Sequence, residues 1–312
     1  MPRLGIALGF AADRLLGDPA RWHPVAGFGA LAGRLEARWW RPTRRAGALY
    51  ATTLMATVVV GVRTVERWLP RRGRSPFAAA VLWATLGGRS LERAALDLRR
   101  ALDAGDLARA RSLAPALVGR DPSGLDAAEL ARAAVESVAE NTSDAVVAPL
   151  VWMAMLGPAG AAGHRAINTL DAMVGHRSAR HERFGRAAAR LDDAVNWLPA
   201  RVTALLVIAL TPRRHRAIRR AAMRDGARHR SPNAGRVEGA FAGAIGLRLC
   251  GVNHYAHGAE ERPLLGHGRA PAADDILRAV ILARSVGLAA AGLAALGARG
   301  RSPHLAMLGA GA

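Results

Sequence analysis

The chain has no lysine, one cysteine and few aromatic residues, and each scarcity excludes a class of structure or site. Phe, Trp and Tyr make up only 4% of its 312 residues, which argues against a soluble β-protein because sheets are enriched in aromatic side chains. Without lysine, a Gly-Lys phosphate loop is impossible. The single cysteine, Cys250, excludes an internal disulfide and predicts no cysteine-based metal cluster.

The positive charge is carried by arginine alone and gives a formal net charge of +20. Such a balance fits nucleic acid, an anionic membrane surface or phosphorylated substrates as partners. No basic arm alternates with stacking aromatics, and there is no zinc-finger or helix-turn-helix pattern. The sequence therefore predicts no nucleic-acid partner. A GxSxG nucleophile elbow and a dinucleotide-binding fingerprint are also missing.

Hydrophobic residues make up 51% of the chain, and a bias towards Ala, Leu, Val and Gly is typical of membrane helices that pack through small residues. Uncharged runs occupy residues 46–62, 76–88, 145–163 and 285–298. Only 145–163 falls comfortably within the ~17–25 residues that a crossing helix needs, and 46–62 lies at the lower limit. Two more runs, 4–16 and 194–212, are long enough only if they tolerate charged residues.

We therefore predict an all-α fold: a polytopic integral membrane helical bundle, formed by residues 1–312 as a single domain. Amphipathic helices and polar loops are expected to form the site at one membrane face. The alternative is a soluble helical protein with Ala-rich core helices. The N-terminal segment lacks a convincing cleavage site and is expected to be retained. The arginine-rich residues 213–236 are predicted to form a cytoplasmic loop, which implies the inner (cytoplasmic) membrane.

Residues 134–177 set acids and amides directly against the longest uncharged run. If the first part is helical, Glu136, Glu140 and Asp144 recur every fourth residue and share one face. Carboxylates at membrane depth cost roughly 2.5–3.5 kcal/mol on insertion scales, so they usually face a protein interior, a cation or a polar substrate. Asn141 adds a hydrogen-bonding group beside them. The alternative is a solvated acidic face; the functional interpretation is a Mg²⁺ site with oxygen ligands.

A second cluster of polar residues follows in the stretches NTLDAMVGHR and RLDDAVNWLPAR. The candidates in it are Asn168, Asp171, His176, Arg177, Asp192, Asp193 and Arg201. Acids and amides of this kind coordinate a metal or orient a nucleophile, while arginines bind phosphate in a bidentate manner. The alternative is a charged helix whose acids pair with its own arginines.

Two further segments contain candidate substrate ligands. The stretch DRLLGDPARWHPVAGFG places Asp18 and His23 among prolines and glycines, and its alternative interpretation is an ordinary helix exit. The stretch RDGARHRSPNAGRVEGAFAGAIG is a plausible anion-binding turn and contains Arg228, His229, Asn233 and Glu238. His254 and His257 have the spacing of zinc ligands, but two histidines without a third ligand do not predict a zinc site.

These segments strongly resemble the CobD/CbiB family, the adenosylcobinamide-phosphate synthases of cobalamin biosynthesis. The matching pieces are GDPARWHPVAGFG, AVESVAENTSDAVVAPL, RAINTLDAMVGHRS, FGRAAARLDDAVNWLPAR and RDGARHRSPNAGRVEGAFAGAIGLRL. The resemblance implies a multi-pass membrane ligase that joins (R)-1-amino-2-propanol, or its O-phosphate, through an amide bond to adenosylcobyric acid. It also implies ATP as cosubstrate and a divalent cation, for which Mg²⁺ is expected.

On this resemblance, ATP activates a propionate carboxylate as an acyl phosphate, which the neutral amine then attacks. Catalytic roles are expected for Glu140, Asp171 and His176. The expected Mg²⁺ ligands are Glu136, Glu140, Asp144, Asp192 and Asp193. Substrate contacts are expected from Asp18, His23, Asn141, Asn168, Arg177, Arg201, Arg228, His229, Asn233 and Glu238.

The expected partners are the corrinoid, the aminopropanol, the lipid bilayer, and either a second copy of the chain or other enzymes of the cobalamin pathway. Two rival functions share the same scaffold: a non-catalytic membrane sensor or regulatory protein, and a small-molecule transporter. The density of acid, amide and arginine motifs disfavours the sensor. The lack of an evident inverted repeat disfavours the transporter.

Overall fold

A computed structural model describes residues 2–18, 23–119, 121–176, 178–255 and 258–298, and these are mainly helical. The first seven helices are α1 (Pro2–Leu16), α2 (Pro24–Trp39), α3 (Arg44–Trp68), α4 (Arg71–Thr85), α5 (Gly88–Asp103), α6 (Leu107–Leu113) and α7 (Ala127–Thr142). The next seven are α8 (Ala148–Leu156), α9 (Pro158–Leu170), α10 (Arg186–Val195), α11 (Trp197–Leu210), α12 (His215–Arg219), α13 (Ala234–Ile245) and α14 (Ala273–Gly297). Three π-helical segments adjoin them: Ser143–Val147, Asp171–Gly175 and Arg220–Asp225.

The predicted helical class is confirmed for these ranges, with one departure. Strands β1 (Val252–Tyr255) and β2 (Gly258–Glu261) form an antiparallel hairpin. Backbone bridges also join Leu249 to Leu265 and Leu247 to Arg269, so the chain on either side of the hairpin is held together. The hairpin is therefore a local addition to a helical protein.

Polar residues fix where the helices that carry the site begin. Asp126 accepts the backbone N–H of Glu129, and the Glu129 side chain accepts the N–H of Asp126, which together form a capping box for α7. At α14, the carboxylate of Asp275 accepts the backbone N–H of Ala272 at 2.8 Å and both terminal nitrogens of Arg269. These contacts satisfy N–H groups that would otherwise lack a partner in the first turn.

Within the part of the chain that the structure describes, two helices are long and apolar enough to cross a membrane: α3 and α14, each of 25 residues. They contain the predicted runs 46–62 and 285–298. The helix that contains the second run is longer than the uncharged run itself, because α14 already begins at Ala273. The pair α10 and α11, bent by 42°, would make a third span. Large apolar side chains on α3, such as Val60 and Val65, point outwards.

The prediction that residues 145–163 form one crossing helix is wrong. The run is divided into a π-helical segment, the nine-residue α8 and the start of α9. Gly157 has a φ of 75°, a left-handed conformation that favours glycine, and Pro158 follows without a backbone N–H to continue the helix. The chain therefore reverses at Gly157, and α8 packs against α9 inside the protein.

The prediction that residues 213–236 form a loop is also wrong. This stretch contains α12, the π-helical segment Arg220–Asp225 and a short 3₁₀ turn. Ile218, Ala221 and Ala222 recur at helical spacing and are buried against α13. The many arginines hid this apolar face.

A small hydrophobic cluster anchors the π-helical segment Asp171–Gly175. It includes Tyr50, Leu170, Val174 and Phe184, all fully or almost fully buried. The Tyr50 hydroxyl donates a hydrogen bond to the backbone oxygen of Ala32 at 2.9 Å. Apolar residues on both sides therefore hold the position of Asp171.

Candidate functional site

Seven carboxylates lie close enough to influence one another electrostatically, and we call them the acid cluster. Five elements supply them: α7, the π-helical segments that follow α7 and α9, α10, and α13. The members are Glu136, Glu140, Asp144, Asp171, Asp192, Asp193 and Glu238. The structure thus brings the predicted metal ligands and two of the predicted catalytic residues to one place.

The π-helical segments shape this cluster. A π-turn contains about one residue more than an α-turn, and such turns occur frequently at functional sites. Asp144 lies in the turn after α7, and Asp171 lies in the turn after α9. The regular every-fourth-residue face predicted for Glu136, Glu140 and Asp144 therefore ends at Thr142. Asp144 nevertheless stays within electrostatic range of Glu140.

The cluster surrounds an internal space that solvent reaches. Protein surrounds the Glu140 side chain, but much of its surface is still accessible to solvent. Asp144 and Asp171 are half-buried. Burial raises the pKa of Glu140, Arg262 opposes this effect, and Asp192 and Glu136 add to it. Burial and repulsion from Glu140 and Asp192 raise the pKa of Asp144 well above its usual value. These carboxylates therefore favour a proton or a cation.

Asp171 has a similar environment. Burial, followed by repulsion from Asp192, Asp193 and Glu140, raises the pKa of Asp171 to about 7. A carboxyl group with such a pKa exchanges a proton near neutral pH, as a general base must. Gly175 packs against it so closely that a Cβ added there would lie 1.8 Å from the Asp171 Oδ1.

The predicted Mg²⁺ ligands do not form a closed cage. Among the described side chains, none of the sets of three drawn from Glu136, Glu140, Asp144, Asp192 and Asp193 brings its oxygens within 4.8 Å of one another. Mg²⁺ commonly takes only one or two carboxylates and completes its shell with water and substrate phosphates. The all-oxygen donors therefore fit Mg²⁺ as a cation shared with a phosphate substrate.

A basic cavity of about 880 Å³ adjoins the acid cluster. Its arginines are Arg132, Arg228, Arg248 and Arg262. The two sites are connected because Arg262 lowers the pKa values of both Glu140 and Glu238. Glu136 also accepts the backbone N–H of Cys250, a residue of the cavity wall, at 2.8 Å. Of the four arginines, only Arg228 was predicted as a substrate ligand. Arg132 and Arg262 lie outside the motifs that guided the prediction, and Arg248 lies inside one of them but was not singled out.

Three predicted residues of the second cluster have different outcomes. Asn168 donates a hydrogen bond to Asp192 at 3.3 Å, so it orients a member of the acid cluster. His176 Nε2 lies 3.3 Å from Nδ1 of His181, whose Nε2 lies 3.3 Å from a Glu36 carboxylate oxygen. The prediction missed this series of contacts because Glu36 lies in α2, far from His176 and His181 in the sequence. Arg177 lies outside the described residues.

Near the N-terminus, His23 caps α2 through Nδ1, which accepts the N–H of Val25 at 3.2 Å. Asp18 lies near Arg165, an arginine of α9 that the prediction did not single out, and Asp144 acts on the same guanidinium. Burial lowers the pKa of Arg165, and the two aspartates raise it. Arg165 therefore connects the Asp18 segment with the acid cluster.

Three predicted substrate ligands are engaged in local contacts. Asn141 donates to the backbone oxygen of Ser137, one turn earlier in α7. Arg201 stacks on Trp197 and donates to Asn233 at 2.9 Å. Asn233 is buried and donates to the backbone oxygen of Asp193 at 2.8 Å. Arg201 and Asn233 thus link α11 and the start of α13 to the acid cluster.

The single cysteine, from which no metal cluster was predicted, lies beside two other side chains of metal-ligand type. His229, Glu238 and Cys250 each present a ligand atom, and these atoms lie within 4.8 Å of one another. The Cys250 thiol is 3.0 Å from a Glu238 oxygen. Burial, followed by the charges of Glu140 and Glu136, raises the pKa of Glu238 to about 8. The sequence analysis placed His229 and Glu238 in one stretch but missed this grouping because Cys250 lies beyond the end of that stretch. His254 lies in β1, where side chains are not described, and His257 lies outside the described residues.

Comparison with known proteins gives consistent matches along the chain. The family model described as "CobD/Cbib protein" matches residues 6–283. A protein of Mycobacterium tuberculosis named "Cobalamin biosynthesis protein CobD" is 47% identical over 296 residues, 94% of this chain and 95% of the relative. Proteins of the same name are 45% identical in Rhodobacter capsulatus (84% of this chain, 85% of the relative) and 42% identical in Chromobacterium violaceum (89% and 91%).

No solved structure matches the chain. The family model covers well over half of it, and the relatives match along most of their own length. The chain therefore belongs to the CobD/CbiB family.

Proposed function

We propose that this protein is a membrane ligase of cobalamin biosynthesis. It forms the amide bond between adenosylcobyric acid and (R)-1-amino-2-propanol or its O-phosphate, at the expense of ATP. The observation that carries the proposal is the acid cluster, which faces an internal, solvent-reached space next to the basic cavity. The names of the relatives support a role in cobalamin biosynthesis.

The acid cluster and the basic cavity serve different parts of the reaction. ATP transfers its terminal phosphoryl group to the propionate oxygen, and the acyl phosphate then loses phosphate when the amine nitrogen attacks the carbonyl carbon. The arginines of the basic cavity suit phosphates, because a guanidinium binds two phosphate oxygens at once. They take the place of the Gly-Lys loop that the chain cannot form.

Glu136, Glu140, Asp144, Asp192 and Asp193 would hold Mg²⁺. When bound, the cation neutralises charge on the phosphates. Asp171 and His176 are the candidate bases that take a proton from the ammonium group, so that the neutral amine can attack. Asp171 has a suitable pKa of about 7, and His176 is held in place by His181 and Glu36.

We further propose that the chain is a multi-pass protein of the inner membrane. The outward apolar face of α3 and the apolar length of α14 support this proposal. The site residues lie outside α3 and α14, on the shorter helices and the π-helical segments. This arrangement suits a reaction between water-soluble substrates.

The direct test supplies purified full-length protein with adenosylcobyric acid, the amine, ATP and Mg²⁺, and detects the amide product by mass spectrometry. Glu140→Gln and Asp144→Asn should abolish coupling while the protein remains in the membrane fraction. Asp121→Asn is the matched control because this carboxyl lies at the surface outside the acid cluster, and it should couple normally. Full activity of both site variants would remove these residues from the mechanism.

A second test addresses the basic cavity. Arg248 is exposed and lines the cavity, so Arg248→Gln should raise the KM for ATP or for the aminopropanol phosphate with little change in kcat. Arg109→Gln, on α6 and away from the cavity, is the control. Corrinoid binding by the unmodified protein without any product would instead indicate the sensor function.

A further inference from the structure

We propose that His229, Glu238 and Cys250 form a binding site for a Zn²⁺-type transition metal. The site shares Glu238 with the acid cluster but none of the proposed Mg²⁺ ligands, and it would be occupied in the resting protein. Nitrogen, oxygen and sulfur donors together suit zinc and its neighbours among the transition metals. Magnesium takes oxygen ligands instead.

The distances are those of a site that needs only small adjustments. The three ligand atoms lie within 4.8 Å of one another, and the thiol sulfur is 3.0 Å from the carboxylate oxygen. In a tetrahedral zinc site, bond lengths of about 2.0–2.3 Å place neighbouring ligand atoms about 3.3–3.6 Å apart. The distance between the thiol sulfur and the carboxylate oxygen is slightly shorter than this, and all three distances are at most 4.8 Å. Side-chain rotations are therefore sufficient to bring the three ligand atoms to zinc-site distances.

The imidazole of His229 is already oriented. The backbone N–H of Ser231 donates a hydrogen bond to its Nδ1 at 3.2 Å, and the Ser231 oxygen lies 3.4 Å from the same nitrogen. We therefore assign Nε2 as the ligand atom. Histidines that bind metals usually donate their other N–H to a backbone or carboxylate oxygen, which fixes the ring and its tautomer. On metal binding at Nε2, the ring proton would move to Nδ1, which would then donate to the Ser231 oxygen instead of accepting the Ser231 N–H.

The thiol of Cys250 is held by an unusual backbone conformation. Among the described residues, Cys250 is the non-glycine residue with a positive φ, 61°, a conformation that disfavours any residue with a Cβ. Its N–H donates to Glu136, and its carbonyl oxygen accepts from Arg132. These contacts fix the backbone and direct the thiol towards Glu238.

We call His229, Glu238 and Cys250 the triad. Their burial and position favour a tightly held metal with one open coordination position. Glu238 and Cys250 are each 2% exposed. Cys250 and Arg228, the neighbour of His229, both line the basic cavity, so the metal would lie at the cavity wall. Three protein ligands leave a fourth tetrahedral position for water or a substrate oxygen. On binding, the thiol loses its proton to solvent, and the thiolate becomes the ligand.

The single cysteine makes the test specific. Full-length protein with a histidine-free affinity tag is purified in detergent, treated with a chelator and titrated with Co²⁺ as a spectroscopic substitute for Zn²⁺. We expect a thiolate-to-cobalt charge-transfer absorption, which in this chain can come only from Cys250. Excess Mg²⁺ should leave it unchanged, and Zn²⁺ should displace it.

The variants decide between the triad and adventitious binding. Cys250→Ser should abolish the absorption, and His229→Ala should weaken Co²⁺ binding by about tenfold or more because one of three ligands is lost. His215→Ala, an exposed histidine on α12, is the control and should bind as the unmodified protein does. His229→Ala and Glu238→Gln keep the thiol, so they remain informative if Cys250→Ser fails to fold. No thiolate absorption at saturating Co²⁺, or equal binding by His229→Ala, would overturn the proposal and leave the ligase proposal intact.

Discussion

Replacing Gly175 with alanine should disable the site without unfolding the protein. A Cβ at this position would lie 1.8 Å from the Asp171 Oδ1 and 2.7 Å from its Cγ. Because these atoms end a side chain, the Asp171 carboxyl group can rotate away while the backbone stays in place. A contact of at least 3.0 Å requires the oxygen to move by roughly 1 Å.

The expected effects on stability and on activity differ in size. An off-rotamer side chain costs about 0.5–1.5 kcal/mol, so the unfolding midpoint should fall by only a few degrees. A reacting group misplaced by about 1 Å can lower the rate by about 10²-fold. Gly175→Ala should therefore lose about two orders of magnitude in the amide-forming assay while remaining folded.

Gly33→Ala is the matched control for this experiment. Gly33 lies on α2 and faces the same π-helical segment, but the nearest atom to an added Cβ is the Met173 Cε at 3.6 Å, an ordinary contact. Alanine inside a helix is favoured over glycine by up to about 1 kcal/mol, so this variant should keep full activity. If Gly175→Ala is folded and as active as Gly33→Ala, the position of the Asp171 carboxyl group does not matter for the reaction.

Three further predictions concern pH, packing and orientation. In metal-free protein the unfolding midpoint should fall as the pH rises from about 4 to 7, because the pKa of Asp171 is 3.8 when unfolded and about 7 when folded; Asp171→Asn should flatten this slope in thermal scans. Gly47→Ala should cost about 1–3 kcal/mol or more, because the Cβ would lie 1.7 Å from the Phe184 backbone oxygen, whereas Gly61→Ala meets nothing within 4 Å and should be neutral or stabilising. Glu36→Gln should lower kcat by releasing His181 and with it His176, and an unchanged kcat would show that this carboxylate has no positioning role.

The sequence predicted the acid cluster better than it predicted the membrane topology. Side-chain type and spacing identified Glu140 and Asp171 because carboxylates beside apolar runs need a partner wherever they lie. The same runs misled the assignment of residues 145–163, since an apolar helix buried in protein and one buried in lipid have similar compositions. Gly157 followed by Pro158 was the available sign of the chain reversal.

Contacts between distant segments could not be predicted from one sequence. Arg165 approaches Asp144, and Glu36 approaches His181, only because the fold brings distant segments together; the spacing of side-chain types around them does not indicate these partners. The grouping of Cys250 with Glu238 depends on the chain turning back through a left-handed residue. Local spacing contains no information about such a turn at a cysteine.

The three π-helical turns have a consequence for the length of the chain. Each carries an aspartate: Asp144, Asp171 and Asp225. Because a π-turn contains about one residue more than an α-turn, removing one residue would restore a regular α-helix there and redirect the side chains within the turn, while the flanking helices keep nearly their present register. The carboxyl group would then leave its position although the aspartate itself is still present. These turns should therefore accept substitutions far more readily than deletions.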